Sequence, residues 1–385
     1  MACRRLVQFV PLLQILRRSN MSVKTKNIII VITSVILLFS LSLSFVLLPK
    51  KEFSESERRP LASFPKLTVS TLLSGSFMKD FNTYAVENFP FRDAFRSLKA
   101  YASKYALLQL ENHDLFIDKN GYVVKIEAEK EGSVEHALNR FETIYDRFLK
   151  DKADGIYLSV IPDKNYFSEG IRIKLDYDEF IAKIQNGMSY AEYIDIFSEL
   201  ELEDFYMTDT HWKQECLVDV ANKLAASMGT SIPGGFTEHT VKDDFYGVYA
   251  GQAALPLKPD TIKHLTSAAI DRATVYDYAT QKNVLMFDKN KLDSRDAYDS
   301  FLNGARSAPV KITDPEATNK KTLVVFRDSY GSSVAPLLTG AYSEIILVDL
   351  RETPYLVLDQ IIDFENADVL FLFSTLVFCD SFEIK

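Results

Sequence analysis

Asp209-Thr210-His211-Trp212 sets a carboxylate and an imidazole two residues apart, and far downstream Arg327-Asp328-Ser329-Tyr330-Gly331 offers a hydroxyl. A seryl hydroxyl is a poor nucleophile until an imidazole takes its proton, and a carboxylate holds that imidazole in the working tautomer. The chemistry open to these three side chains is acyl transfer, with Ser329 as nucleophile, His211 as general base and Asp209 as its orienter. Both stretches also have plainer readings. Thr210 reads as an N-cap with His211 in the first helical turn, and Asp328-Ser329 could cap the helix that follows. Two features favour chemistry. Trp212, the only tryptophan in the chain, adjoins the pair, and the other histidines (His113, His136, His239, His264) fall in loops or on charged helix faces. Gly331 and Ser332 leave room for backbone N–H groups to approach a developing oxyanion. G-x-S-x-G, G-x-G-x-x-G, the P-loop and H-E-x-x-H are all absent from the sequence. Asp209, His211, Glu215 and His239 lack a spacing that selects a metal, so neither a metal nor a cofactor is expected.

The elements that must position these groups are clearest near the C-terminus. Residues 322–326, 344–348 and 369–373 read as strands, with helices over 333–338 and 355–364 between them. Strands alternating with helices imply crossovers and a parallel sheet covered on both faces, whose sites lie off the carboxyl ends of strands. Ser329 lies just there. Upstream, 77–108 reads as helix broken at Asn88-Phe89-Pro90, and 114–125 as a hairpin turning at Asn120-Gly121. Helices are expected over 133–150, 177–184, 189–200 and 213–228, with a buried strand over 155–161. Residues 230–320 read as an insertion of extended structure, with short strands at 273–278 and 283–287.

The 385 residues are 47% apolar and 25% charged, enough to bury a sizeable core. A net charge of -9, with no basic block after the first sixty residues, argues against nucleic acid as a partner. Cys3, Cys216 and Cys379 are too scattered for a disulfide framework; the last two read as inert core thiols. Residues 28–48 carry no charge and have the length of a bilayer span. No small-residue cleavage site ends that run, which favours an uncleaved anchor over a signal peptide. Arg4, Arg5, Arg17, Arg18, Lys24 and Lys26 precede it, whereas Lys50 and Lys51 are soon balanced by Glu52, Glu55 and Glu57. The expected layout is a cytoplasmic tail 1–27, a single-pass anchor 28–48, a linker 49–75 and an extracytoplasmic domain 76–385. Met21 is a second candidate start.

With both motifs in hand, the chain resembles the DHHW family of bacterial exported proteins, and through it the SGNH-hydrolase-like O-acetyltransferases of the alginate type. The resemblance runs through Glu57-Arg58-Arg59-Pro60-Leu61, Asn88-Phe89-Pro90-Phe91-Arg92-Asp93 and Thr208-Asp209-Thr210-His211-Trp212. It continues through Asp244-Phe245-Tyr246-Gly247, Pro259-Asp260-Thr261-Ile262, Arg327-Asp328-Ser329-Tyr330-Gly331 and Asp349-Leu350-Arg351. It implies an α/β, SGNH/flavodoxin-like three-layer sandwich in which the Asp-x-His pair precedes the serine, reversed from ordinary SGNH enzymes. Ser329, His211 and Asp209 take the three catalytic roles, and Thr210 stands where the family name has histidine. The usual oxyanion glycine and asparagine have no counterpart; Gly331, with Arg327 or Arg351 as a charged substitute, is the candidate, and Trp212 a candidate substrate contact. The implied activity is O-acetyl transfer to a cell-surface or secreted polysaccharide, from an acetyl donor delivered with a membrane-bound acyltransferase partner. The rivals are a carbohydrate esterase using the same triad and a non-catalytic glycan-binding or assembly factor.

Overall fold

A computed structural model of the chain describes residues 22–385 apart from 108, 110, 113, 172, 303 and 305–307. Residues 1–21 of the expected cytoplasmic tail, with Cys3, lie outside the described residues, as does residue 108 at the end of the first helical stretch. The chain divides into two compact units, Met1–Gln109 and Leu110–Lys385.

In the first unit, helix α1 (Val23–Leu47) buries none of its residues against the rest of the chain and is long and apolar enough to cross a membrane. Helices α2 (Ser76–Glu87) and α3 (Arg92–Tyr101) are separated at Asn88-Phe89-Pro90-Phe91, as the proline requires, and Phe91 takes a left-handed φ of 58°. A π-helical turn, Ala102–Ala106, extends α3. Glu57 pairs with Arg92, with Arg96 at 3.3 Å and with Arg59 at 3.4 Å, while Arg59 also reaches Glu87 at 2.7 Å. Two motifs some thirty residues apart thus close on one carboxylate.

The second unit opens with a hairpin, β1 (Leu115–Ile117) and β2 (Val123–Lys125), turned at Gly121 with φ 94°. Helix α4 (Ser133–Ile144) runs on as a π-helical turn, Tyr145–Leu149. Then come β3 (Gly155–Ile161), α5 (Tyr177–Gly187), the short strand β4 (Glu192–Tyr193) and α6 (Val218–Ser227). Residues 189–200 are therefore not the expected helix. Ile194 and Ile196 alternate with polar neighbours, a strand period, and Ile194 N–H donates to the Leu158 carbonyl at the edge of the sheet. Strands β5 (Thr237–Phe245) and β6 (Asp260–Thr266) form a long antiparallel pair with bulges. They precede β7 (Thr274–Asp277), β8 (Lys282–Val284), β9 (Val310–Thr313), β10 (Thr322–Arg327), β11 (Glu344–Val348) and β12 (Asp368–Ser374).

The central sheet has eight strands in the order β8-β7-β9-β11-β10-β12-β3-β4. From β11 to β4 all neighbours are parallel; β8, β7 and β9 extend it antiparallel, so part of the 230–320 stretch builds the sheet itself. The parallel strands read as unbroken apolar runs because both faces are covered. Leu323, Val325, Ile345, Leu347, Leu370 and Leu372 face α6. Their neighbours Val324, Phe326, Ile346, Val348, Val369, Phe371 and Phe373 face α4 and α5. The helix expected over 355–364 is a 3-10 turn, Tyr355–Gln360, and the one over 333–338 tightens to 3-10 geometry at Ala335-Pro336. Cys216 and Cys379 are free, the first only half-buried, and burial pushes both thiols up to about 12.

Phe371 lies at the centre of the α4 face, its ring 5.0 Å from those of both Phe141 and Phe326. Phe371→Ala should cost about 3–5 kcal/mol of stability, the range for emptying a buried phenylalanine site. Urea unfolding checks this.

Candidate active site

Ser329 follows β10, which the chain leaves for β11 on one side before returning to β12 on the other. The carboxyl end of such a strand is where open α/β sheets hold ligands. Asp328 fixes the turn: its Oδ1 accepts from Tyr330 N–H at 3.0 Å and its Oδ2 from Ser374 N–H at the end of β12 at 2.8 Å. Ser329 therefore does not cap the short helix Gly331–Val334; no side chain does, and the Ser329 hydroxyl is left half-exposed.

His211 arrives on a loop, not in a helix. Residues 207–211 form a bend pinched by the Phe205–Trp212 bridge and by Tyr206 N–H donating to His211 O at 3.0 Å, so Thr210 caps nothing. A buried loop exposes no backbone to water, so its polar groups must find partners inside the protein. Asp260, at the start of β6, accepts from Met207 N–H (2.7 Å), Thr208 N–H (2.8 Å) and the Thr208 hydroxyl (2.6 Å). Gly247 N–H donates to Thr208 Oγ1 at 2.9 Å, and Val248 N–H to Asp209 Oδ2 at 2.8 Å. The buried Lys164 ammonium donates to the carbonyls of Asp209 (2.6 Å) and Tyr206 (2.9 Å). Thr210 receives the Tyr330 hydroxyl on its carbonyl at 2.7 Å and the Tyr249 hydroxyl on Oγ1 at 3.1 Å.

The two segments, 118 residues apart in sequence, meet through the imidazole. His211 Nδ1–H donates to Asp209 Oδ1 at 2.5 Å, which leaves Nε2 to accept from the Ser329 hydroxyl at 2.8 Å. Asp209 is fully buried and His211 is 5% exposed. Tyr298 stacks flat on the imidazole, centroids 3.8 Å apart and planes within 6°, and its hydroxyl donates to Ser333 Oγ at 2.8 Å. Such an arrangement can move a proton from a seryl oxygen to an imidazole whose tautomer is already set.

The other sequence candidates lie elsewhere. Trp212 is fully buried and cannot touch a substrate; its indole N–H donates to Tyr330 O at 3.1 Å and to Ser333 Oγ at 2.8 Å, tying the two motif loops together. Gly331 donates its N–H to Asp328 O at 3.1 Å, and a Cβ there would meet the Arg327 side chain at 2.7 Å, so this glycine makes room for arginine and not for an oxyanion. Arg327 is wholly buried, 3.9 Å from Asp349, whose carboxylate Arg351 holds with two bonds of 2.9 and 2.6 Å. Burial alone would raise Asp349, but the Arg351 bonds and the Arg327 charge hold it below its ordinary value. Both arginines are thus engaged in a structural pair. Among the described residues no three His, Cys, Asp or Glu side chains gather as a metal site, and His239 Nε2 lies instead 3.0 Å from Thr266 Oγ1.

Sequence reasoning missed Lys164, Tyr298 and the roles of Asp260 and Gly247. Lys164 had a signal, because a charged residue just past the apolar run of β3 stands at a strand's carboxyl end. Tyr298 had none.

No family model matches this sequence, and no curated protein matches it significantly. Solved structures do. A DHHW family protein from Eubacterium siraeum is similar at 19% identity and TM-score 0.56, over 71% of this chain and 94% of that one. PatB1 of Bacillus cereus, solved with a sulfonyl adduct, is similar at 14% identity and TM-score 0.52, over 69% of this chain and 96% of its own. The O-acetyltransferase domain of Pseudomonas putida AlgJ aligns at 13% identity and TM-score 0.43, over 69% and 92%. The first two carry the fold assignment: this chain shares their fold, and its larger unit is an α/β sandwich around a mostly parallel sheet.

Two outcomes follow from the loop's supports. A Cβ on Gly247 would lie 2.2 Å from Asp209 Cβ and 2.4 Å from its Cα, so Gly247→Ala should destabilise by about 1–3 kcal/mol, the overpacking range, as read from the urea midpoint. Burial pushes the Lys164 ammonium from 10.5 down to about 7, against the pull of Asp209, Asp260 and Asp118. Between those values the unfolded chain binds more protons than the folded one, so this group makes stability rise with pH across that window and adds no slope below it. Lys164→Met should remove that slope in urea titrations run from about pH 7 to 10.

Proposed function

We propose that this chain is a membrane-anchored, extracytoplasmic O-acetyltransferase that modifies a cell-surface or secreted polysaccharide through Ser329, His211 and Asp209. The observation that carries the reading is the hydrogen-bonded series Asp209 Oδ1, His211 Nδ1–H, His211 Nε2, Ser329 hydroxyl, at 2.5 and 2.8 Å. The anchor is α1. The basic residues before it, against the balanced charges after it, support a cytoplasmic N-terminus.

In the first half-reaction Ser329 Oγ attacks the acetyl carbonyl of the donor while its proton passes to His211 Nε2. Collapse of the tetrahedral intermediate breaks the donor bond, and the leaving group takes that proton. A sugar hydroxyl then attacks acetyl-Ser329, giving its proton to Nε2; the ester to serine breaks and Oγ recovers the proton. Asp209 stabilises the imidazolium in both halves. The donor would be presented at the membrane with a membrane-bound acyltransferase partner.

PatB1 takes a sulfonyl adduct, which makes a sulfonyl fluoride the matching probe. Mass spectrometry should find the label on Ser329 of the wild type, with labelling lost in Ser329→Ala and His211→Ala. Asp209→Asn should slow acetyl transfer by about 10⁴-fold, the effect of presenting the wrong tautomer in the serine-protease triad. Release of acetate with none on the glycan would make water the acceptor and the chain an esterase. An unlabelled wild type would leave a glycan-binding module.

A further inference from the structure

The first unit carries an apolar stripe that its own packing leaves exposed. Phe91, Phe95, Leu98, Tyr101 and Tyr105 follow one another at spacings of four, three, three and four residues, one face of a helix. They are 64%, 45%, 44%, 39% and 62% exposed, Phe91 just before α3 and the others along α3 and the π turn. The opposite face is satisfied: Arg92 and Arg96 close on Glu57, and Ala100 and Ser103 are buried. Leu72, Leu73 and Met78 just upstream are exposed as well, at 55%, 85% and 62%. So much open apolar surface within one short stretch marks an interaction face.

Its position says what covers it. The Phe45 ring near the end of α1 meets Tyr84 of α2 edge-on, centroids 6.1 Å apart. A cavity of about 280 Å³ is lined by Ser44 and Leu48 at the end of α1 and by Phe89, Phe91 and Arg92 at the start of α3. The stripe therefore begins where the apolar helix ends. Lys50 and Lys51 line the same cavity, and Lys104 stands 5.6 Å over the Tyr105 ring, its charge next to an aromatic face. Aromatic and aliphatic side chains flanked by lysines suit the boundary between anionic headgroups and acyl chains.

We propose that this face of α3 and its π turn lies in the lipid headgroup–acyl boundary of the membrane that α1 enters. The chain is then held at the bilayer by an interfacial helix as well as by a span. This rests on reading α1 as a membrane span, and it is independent of the chemistry at Ser329.

The native Trp212 is fully buried in the second unit and so shielded from quenchers, which leaves the change in quenching to the added tryptophan. Full-length Phe95→Trp and Leu98→Trp proteins, with Leu356→Trp on the second unit as control, are reconstituted in phosphatidylcholine–phosphatidylglycerol vesicles and floated. Brominated acyl chains should quench the added emission at 95 and 98 roughly twofold or more, as expected for side chains about 5–10 Å into the boundary. Aqueous acrylamide should quench only the Leu356→Trp control. Acrylamide quenching at 95 and 98 equal to the control's overturns the proposal. Shielding of both positions from both quenchers also overturns it, since a protein surface then covers the stripe. Protein that does not float overturns the anchor reading itself.

Discussion

A histidine on an irregular, buried loop has to be held 2.8 Å from a serine on a different segment. Helices and strands satisfy their own backbone; this loop cannot, and it lies where water does not reach. Its N–H groups are taken up by the Asp260 carboxylate, its carbonyls by the Lys164 ammonium, and its side-chain oxygens by the amides of Gly247 and Val248. Placing a lysine there carries a desolvation cost, visible in the depression of its pKa to about 7. What that cost secures is geometry, since the loop has few conformations that keep every buried group paired.

The same logic explains why the 230–320 stretch matters to the site. It supplies Gly247, Asp260 and Tyr298, and its strands β7 and β9 continue the central sheet beyond the parallel core. Ser329, by contrast, needs little help. It ends a central strand whose neighbours on both sides are parallel, and one carboxylate, Asp328, ties its turn to the end of β12. The two halves are joined by Trp212, Gln214 and Tyr330, which hydrogen-bond across the gap. The hydrogen-bonded series is thus a strand end facing a loop braced from several sides.

Much of the sheet was legible because local pattern and tertiary role coincide there. The runs at 322–326, 344–348 and 369–373 are largely apolar on both faces, and their alternation with helical patterns reads as buried parallel strands. The break at Asn88-Phe89-Pro90 and the turn at Asn120-Gly121 follow from backbone chemistry in the same way. Where an element leans on its neighbours the reading failed. Residues 189–200 look helical by composition, yet they add an edge strand to β3, because Ile194 finds its backbone partner in Leu158. His211 looked like a first helical turn because a threonine precedes it, but the network around Asp260 and Lys164 holds the loop open.

Residue types and spacing alone singled out Asp209, His211 and Ser329 as candidates, because proton transfer admits few side chains and the strand pattern left Ser329 at a carboxyl end; the structure brings the three into hydrogen-bond reach. Residue types also marked a helix long and apolar enough to cross a membrane, since only length and apolarity are needed to match a bilayer. Tertiary structure alone decided which neighbours serve the site. Trp212 proved a strut, Arg327 and Arg351 a paired support for Asp349, and Gly331 a space for arginine. Lys164 and Tyr298 come from distant parts of the chain to the loop and the imidazole. Such roles depend on which long-range surfaces meet, and no local pattern carries that information.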